Sequence, residues 1–201
     1  MSSGYAQHTF SFEILPGGAV TLPSRLLISQ EGYPELNLKA HYRTESFKLP
    51  VYYSVRLGYS INKSSGLELE FNHLKIYLEN KPPEISNFSV SHGYNQLWIN
   101  YLKNYKYFDT RMGLGPVIAH PENNIRDQKL PESGGILNRG YHLAGVTSMI
   151  GIRKRLLVTR RIYIGPEIKL QASWAKVDIV NGYARFPLFA IHGQLGLGLK
   201  L

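Results

Sequence analysis

The sequence predicts an all-β fold, an eight-stranded antiparallel transmembrane β-barrel wound as an up-and-down meander in one domain of residues 1–201. Three observations predict it. Apolar and polar residues alternate with a period of two in several segments, turn-forming residues separate those segments, and no stretch approaches the roughly 18 uninterrupted apolar residues that a spanning helix needs. Hydrophobic residues make up 43% of the chain while mean hydropathy is −0.20, as expected when only every second residue faces lipid. With 14 Tyr and 19 Gly, the composition suits pleated sheet, tight turns and interfacial girdles.

In chain order, 6–15 and 35–43 both read as strands. An even strand number puts both termini on one side, so 35–43 is taken as an upper extension of the strand at 51–61. The ladder between them breaks at Leu49-Pro50, because proline has no N–H to donate. Residues 51–61 set Val51, Tyr53, Val55, Leu57, Tyr59 and Ile61 against Tyr52, Ser54, Arg56, Gly58 and Ser60. Residues 66–78 begin with Leu67, Leu69 and Phe71 against Glu68 and Glu70, then shift to Leu74, Ile76 and Leu78, which predicts a β-bulge around Asn72-His73. Residues 87–101 and 140–152 alternate more weakly.

Residues 107–119 oppose Phe108, Met112, Leu114 and Ile118 to Asp109, Arg111, Gly113 and Gly115. In the next strand Ile162, Ile164, Ile168, Leu170, Ala172 and Trp174 oppose Glu167, Lys169, Gln171 and Ser173. The last strand sets Phe189, Ile191, Leu195, Leu197, Leu199 and Leu201 against Ala190, His192, Gln194, Gly196, Gly198 and Lys200. Charges this close to a spanning surface must point inward. Glu68, Glu70, Arg56, Arg111, Asp109, Glu167 and Lys169 are therefore expected to form a buried ionic network, and Trp174, Tyr101 and Tyr163 to anchor the interface.

Loop lengths orient the barrel, since periplasmic turns are short and outer loops long. Residues 177–184, 120–139 and 79–86 are expected outside. Arg153 to Arg160, Lys103 to Lys106 and Asn62 to Gly66 are expected inside, and the location is the bacterial outer membrane. The opening Met1-Ser2-Ser3-Gly4 lacks a basic segment followed by an apolar core, so the chain reads as a mature form.

Cysteine is absent, which excludes disulfides, thiolate catalysis and Cys-ligated metals. The net charge of +9 favours polyanionic partners. The basic run Arg153-Lys154-Arg155 with Arg160-Arg161 reads as a solvated turn at the phosphate level of the inner leaflet, so no nucleic acid is expected.

This orientation gathers His73, His92, His120, Glu122 and His142 at the outer rim of the mouth. Imidazoles and a carboxylate are competent ligands for a divalent transition metal of unspecified identity, with His73, His120 and His142 the first choice, and a His–carboxylate pair is competent for acid–base work. The bland alternative is that polar loops carry such residues anyway, and no compact metal motif is present. Pro121-Glu122-Asn123-Asn124 reads as a turn in its own right. Ser91-His92 invites a hydrolase reading, against which adjacent strand residues point to opposite faces.

Several segments resemble the lipid A oxidase family of Gram-negative outer-membrane barrels. They are Ser46 to Tyr53, Gly66 to Tyr77 (GLELEFNHLKIY), Ser91 to Asn95 with Trp98-Ile99-Asn100, Gly113 to Pro121 (GLGPVIAHP) and Tyr141 to Gly145. The resemblance implies an O2-dependent oxidation of the proximal glucosamine of lipid A to an aminogluconate. It nominates His73, His92, His120 and Glu122 as catalytic, with Lys75 and Asn95 beside them as contacts to lipopolysaccharide; Asn124, whose amide could hold a sugar hydroxyl, and Arg126 are expected to add to those contacts. His92 stands where the family more often carries an acid. A monomer amid outer-membrane lipids is expected. The alternatives are a non-enzymatic barrel whose basic loops bind lipopolysaccharide or another surface ligand, and a soluble lipocalin-like barrel with its apolar face inward.

Overall fold

The computed structural model describes residues 9–136 and 138–201, and no helix occurs among them. The strands are β1 (Phe10–Leu22), β2 (Ser24–Gln30), β3 (Leu36–Ala40), β4 (Tyr42–Arg43), β5 (Tyr53–Asn62), β6 (Ser65–Leu78) and β7 (Ile85–Asn104). They continue with β8 (Asp109–Ala119), β9 (Glu122–Ile125), β10 (Gln128–Lys129), β11 (His142–Arg153), β12 (Leu156–Leu157), β13 (Ile162–Ile179) and β14 (Gly182–Lys200).

Antiparallel ladders join β1, β5, β6, β7, β8, β11, β13 and β14 in that order, and β14 pairs back onto β1. The sheet is therefore a closed ring of eight long strands, in which every edge finds a partner. β2 continues β1 beyond Pro23, β3 and β4 form the upper part of the β5 strand, and β9 prolongs β8. The expected extension of 51–61 by 35–43 is present, interrupted by residues 44–52 around the cis Leu49-Pro50 peptide.

Strict alternation gives the two faces opposite chemistry. Leu57, Leu67, Ile99, Met112, Leu114, Ile150, Ile168 and Leu197 all point outward and are exposed, an apolar band that only hydrocarbon would cover. Their neighbours in the lower half of the barrel are buried ions. Arg56 alone contacts Glu13 at 2.8 Å, Glu70 at 2.8 Å, Glu167 at 2.7 Å and Glu68 at 3.5 Å. Arg111 meets Glu68 at 2.7 Å, Lys169 meets Glu70 at 2.5 Å, and Arg153 meets Glu13 at 2.5 Å. Arg153 and Arg155 also share Asp109. Five cations thus face five carboxylates. The interior is electroneutral, as charges removed from water must be.

Higher up, the interior turns apolar. Leu26, Ile28, Tyr42, Leu74, Ile76, Phe88, Tyr94, Val117, Val177 and Phe186 belong to one buried cluster that fills the upper barrel.

Several expectations are corrected here. No bulge interrupts β6 at Asn72-His73: its ladder with β5 runs unbroken from Tyr53↔His73 to Ser60↔Gly66, and Glu68, Glu70, Asn72, Leu74, Ile76 and Leu78 all point inward in one phase. The pattern shifts because the interior changes from polar to apolar at that height. The irregularity lies on β7, where Leu74 faces Tyr94 and Ile76 faces Val90, leaving Ser91–Gly93 as an insertion. Gly93 sits there at φ 143°, a conformation suited to glycine.

Tyr163 does not anchor the interface. It lies inside, donating to Glu13 Oε1 at 2.6 Å, and any side chain at Gly198 would collide with its ring. Arg153 belongs to the ionic core and not to the turn, because β11 extends through it. The predicted outer loop 177–184 is a tight hairpin through Val180-Asn181. Asn123 and Asn124 lie in β9, not in a turn; the chain reverses at Arg126-Asp127, both at positive φ. Residues 6–8 of the first predicted strand lie outside the described residues.

Candidate functional site

The insertion in β7 builds the site. Below it β7 pairs with β8 through Tyr94↔Ala119, and above it with β9 through Ser89↔Glu122. The extra residues Ser91–Gly93 therefore stand opposite His120-Pro121, the junction of β8 and β9, and the His120 N–H donates to Gly93 O at 3.2 Å. This brings three sequence-distant side chains together. One donor atom each from His92, His120 and Glu122 lies within 4.8 Å of the others.

The imidazoles of His92 and His120 stack with centroids 4.7 Å apart, and Tyr141 meets His120 edge-on at 5.1 Å. Tyr141 Oη donates to His92 O at 3.0 Å, fixing the bulge. Glu122 accepts from Ser91 Oγ and pairs with His92 Nδ1 through the same oxygen. Gly140, at φ 70°, closes over His120; a Cβ there would lie 2.8 Å from its Nε2.

His92 is 55% exposed on its side chain, whereas His120 is buried with neither ring nitrogen hydrogen-bonded. A buried imidazole with both nitrogens free is costly unless something occupies them. Burial, followed by the neighbouring His92, holds the His120 pKa below the ordinary histidine value, despite the opposing pull of Glu122 and Glu132. A neutral imidazole is the form that ligates metal, so the donor set fits a transition ion.

The site faces the outer wall and not the mouth. On β9, Asn123 and Ile125 are buried inward, so Glu122 points outward with His92. Two residues below His120, Ile118 pairs with Leu143, which is 72% exposed. The cluster thus begins where the apolar band ends, at headgroup height. Ser91 and His92 were expected to diverge; the bulge lets both reach Glu122, although among the described residues no hydrogen bond joins them to each other.

The remaining nominated residues divide. His73 is not part of the cluster: it stacks on Tyr53 at 5.5 Å and its Nδ1 shares a 2.8 Å hydrogen bond with Asn95. Both sit one row lower, since His73 pairs with Asn95 and Asn95 with Ile118. Lys75 faces the β7 insertion and donates to Lys48 O at 2.9 Å and Leu49 O at 3.5 Å. His142 stands apart, 3.8 Å from Asp178. The set His73, His120 and His142 therefore does not converge, and His92 and Glu122 replace its outer members.

Arg126 also leaves the site, whereas Asn124 stands two residues beyond Glu122 on the same outward face of β9. Arg126 bridges to Gln30 Oε1 at 3.0 Å and Pro34 O at 2.7 Å and covers the Tyr33 ring, tying the top of β9 to the β2–β3 hairpin. Gly93, Gly140 and Tyr141 were missed as site builders. Only the Ser-His-Gly sequence inside a strand hinted at the first of them.

No family model matches the chain, and no curated protein matches it. Solved structures do. The outer membrane protein AlkL, determined in lipid bilayers, aligns with a TM-score of 0.59 at 10% identity over 100% of this chain and 93% of its own. Ail of Yersinia pestis aligns at a TM-score of 0.44 and 11% identity, covering 98% and 99% of the two chains. The outer membrane protease OmpT of Escherichia coli gives 0.45 and 8%, covering 100% and 99%. At 10% identity the likeness to AlkL concerns architecture alone, and with the closed ring and its outward apolar band it establishes that this chain has the fold of a small outer-membrane β-barrel.

Proposed function

We propose that the protein is a metal-dependent enzyme that modifies lipid A, working from the outer wall of the barrel at the level of the lipid headgroups. The observation carrying this reading is the His92–His120–Glu122 constellation, with His120 buried and unpartnered, at the upper edge of the lipid-facing band. The apolar cluster filling the upper barrel leaves the outer wall as the working surface. The resemblance of GLELEFNHLKIY and GLGPVIAHP to the lipid A oxidases supplies the reaction: oxidation of the proximal glucosamine to an aminogluconate.

His92, His120 and Glu122 would hold the ion, which when bound supplies activation of dioxygen toward a closed-shell sugar. Ser91 orients the Glu122 carboxylate through its hydroxyl hydrogen bond. Tyr141 holds the His92 backbone and, with Gly140, packs against the His120 imidazole. Lys75 offers an ammonium that, among the described residues, donates to the backbone carbonyls of residues 48 and 49, a donor suited to a phosphorylated sugar.

Incubation of the refolded barrel with lipid A and each of iron, manganese, copper and zinc is expected to add one oxygen to the product mass. His120→Ala removes that shift. A lipid A mass unchanged under every metal would overturn the oxidase. A second reading, a non-enzymatic barrel that binds lipopolysaccharide, is favoured by one feature: Glu122 is already satisfied by Ser91 and His92. Metal content decides between them, since a binding barrel purifies without a stoichiometric ion and ignores added metal.

A further inference from the structure

The opposite end of the barrel carries chemistry that the outer-wall site does not use. Its turns, 63–64, 105–108 and 158–161, open onto a cavity of about 440 Å³ lined by Lys63, Arg155, Lys200, Asn104, Ser11 and Tyr163, with a second of about 270 Å³ sharing Lys63, Asn104, Arg155 and Lys200. The ionic core seals it from above, because Tyr163 lies under Glu13 and both Arg153 and Arg155 cover the Tyr163 ring.

The charge of this mouth is one-sided. Among the described residues, the one acid in either lining, Asp109 in the second cavity, is already taken by Arg153 at 3.3 Å and Arg155 at 3.0 Å. Lys63 and Lys200 form no ion pair among the described residues, and Arg155 Nε is buried without a partner. Lys103 at the end of β7 and Lys106, Lys154, Arg160 and Arg161 on the neighbouring turns likewise form no ion pair among the described residues. The first eight residues, which precede the mouth in sequence, contain no Asp or Glu. Clustered like charges at the end of a low-dielectric wall repel one another unless a counter-ion sits among them.

We propose that the periplasmic mouth is an anion site for a phosphate group, held by Lys63, Lys200 and Arg155 with the Ser11 hydroxyl at the floor. Phosphate presents oxygens on all sides to several N–H donors at once, which a lone carboxylate does not. The phosphate has two sources: an inner-leaflet phospholipid headgroup, which lies in the same plane as the turns, or free phosphate in the periplasm. The exposed Tyr105 and Tyr107 on the 105–108 turn and Leu157 on β12 place this mouth at the membrane interface.

The test uses the full chain refolded in zwitterionic detergent and titrated with inorganic phosphate by phosphorus NMR, alongside nanodiscs of equal phosphatidylglycerol and phosphatidylcholine analysed for retained lipid by native mass spectrometry. Lys63→Gln/Lys200→Gln is compared with the wild type and with Lys39→Gln/Lys81→Gln at the other end. The expected result is an affinity lowered about tenfold, near 1.4 kcal/mol, in the first variant alone. Loss of phosphatidylglycerol retention assigns the site to the lipid; loss of phosphate binding without lipid preference assigns it to the free anion. Equal binding of both probes by wild type and Lys63→Gln/Lys200→Gln overturns the proposal. Heat-modifiable gel migration confirms folding, and the two single variants answer the same question if the double one fails to fold.

Discussion

The lower and upper halves of this barrel solve the same packing problem with opposite chemistry. Below, the wall is apolar outside and the interior holds five cations and five carboxylates around Arg56. Above, the interior is a dry cluster of Leu26, Ile76, Phe88, Phe186 and their neighbours, while the outward positions carry His73, Lys75, His92 and Glu122. The exchange happens within single strands: on β6 the inward residues pass from Glu70 and Asn72 to Leu74 and Ile76 without a change of phase. What surrounds the wall sets what fills it. Where hydrocarbon lies outside, the inner face alone remains for polar groups; where water lies outside, the hydrophobic effect again favours an apolar interior.

This contrast can be broken most strongly at Arg56. Arg56→Ala leaves Glu13, Glu70 and Glu167 facing one another without their shared guanidinium, and removing one partner of a buried ionic group destabilises by about 3–5 kcal/mol. Urea-induced unfolding in lipid vesicles measures it, and an unchanged midpoint would show the network to be dispensable. Ile168, outward and 57% exposed in the band, tests the other face of the same half. Ile168→Arg is expected to lose about 2–4 kcal/mol in a bilayer, and the variant should show much less penalty in detergent micelles, where the long side chain reaches water.

The upper half predicts a smaller and different response. Ile76→Val removes one methylene from the apolar cluster, for about 0.5–1.5 kcal/mol, and the loss should be similar in vesicles and in detergent because no lipid touches that site. The smallest effect concerns pH. The folded-state pKa of His120 lies below its unfolded value, so its neutral form persists under mild acid and stability is unaffected above the unfolded value near 6.5. As pH falls from there through the lowered folded value, the unfolded chain binds more protons and stability declines. A metal held by His92, His120 and Glu122 should be released as falling pH protonates its imidazole ligands, which isothermal titration with zinc at successive pH values would record.

The lower half was legible in sequence because alternation is local. Glu167, Lys169 and Gln171 announce the inner face of β13 within a few residues, and the network members on β5, β6, β8 and β13 follow from the same rule. Glu13 and Arg153 escaped it. Glu13 lies on a strand whose partner is the far end of the chain, through Glu13↔Gly198, and Arg153 looked like part of a basic turn until its pairing with Asp109 extended the strand. The upper half misled the reading because the same period with inverted polarity looks like a slipped register, which produced the bulge expected at Asn72-His73. Of the candidate site, His92, His120 and Glu122 were nominated. Their union depends on two surplus residues in β7 opposite His120-Pro121, a ladder offset that no single segment reveals. His142 and Arg126 share that height but belong to other contacts.

The packed upper interior has a final consequence. A barrel stoppered by Phe88, Tyr94 and Phe186 should be electrically silent in a planar bilayer, conducting no ions at any voltage. Whatever meets the outer wall arrives sideways, by diffusion in two dimensions. Its encounter rate is then governed by the number of molecules per unit area of leaflet, and diluting that leaflet with inert lipid slows the encounter even when the bulk concentration of everything is held constant.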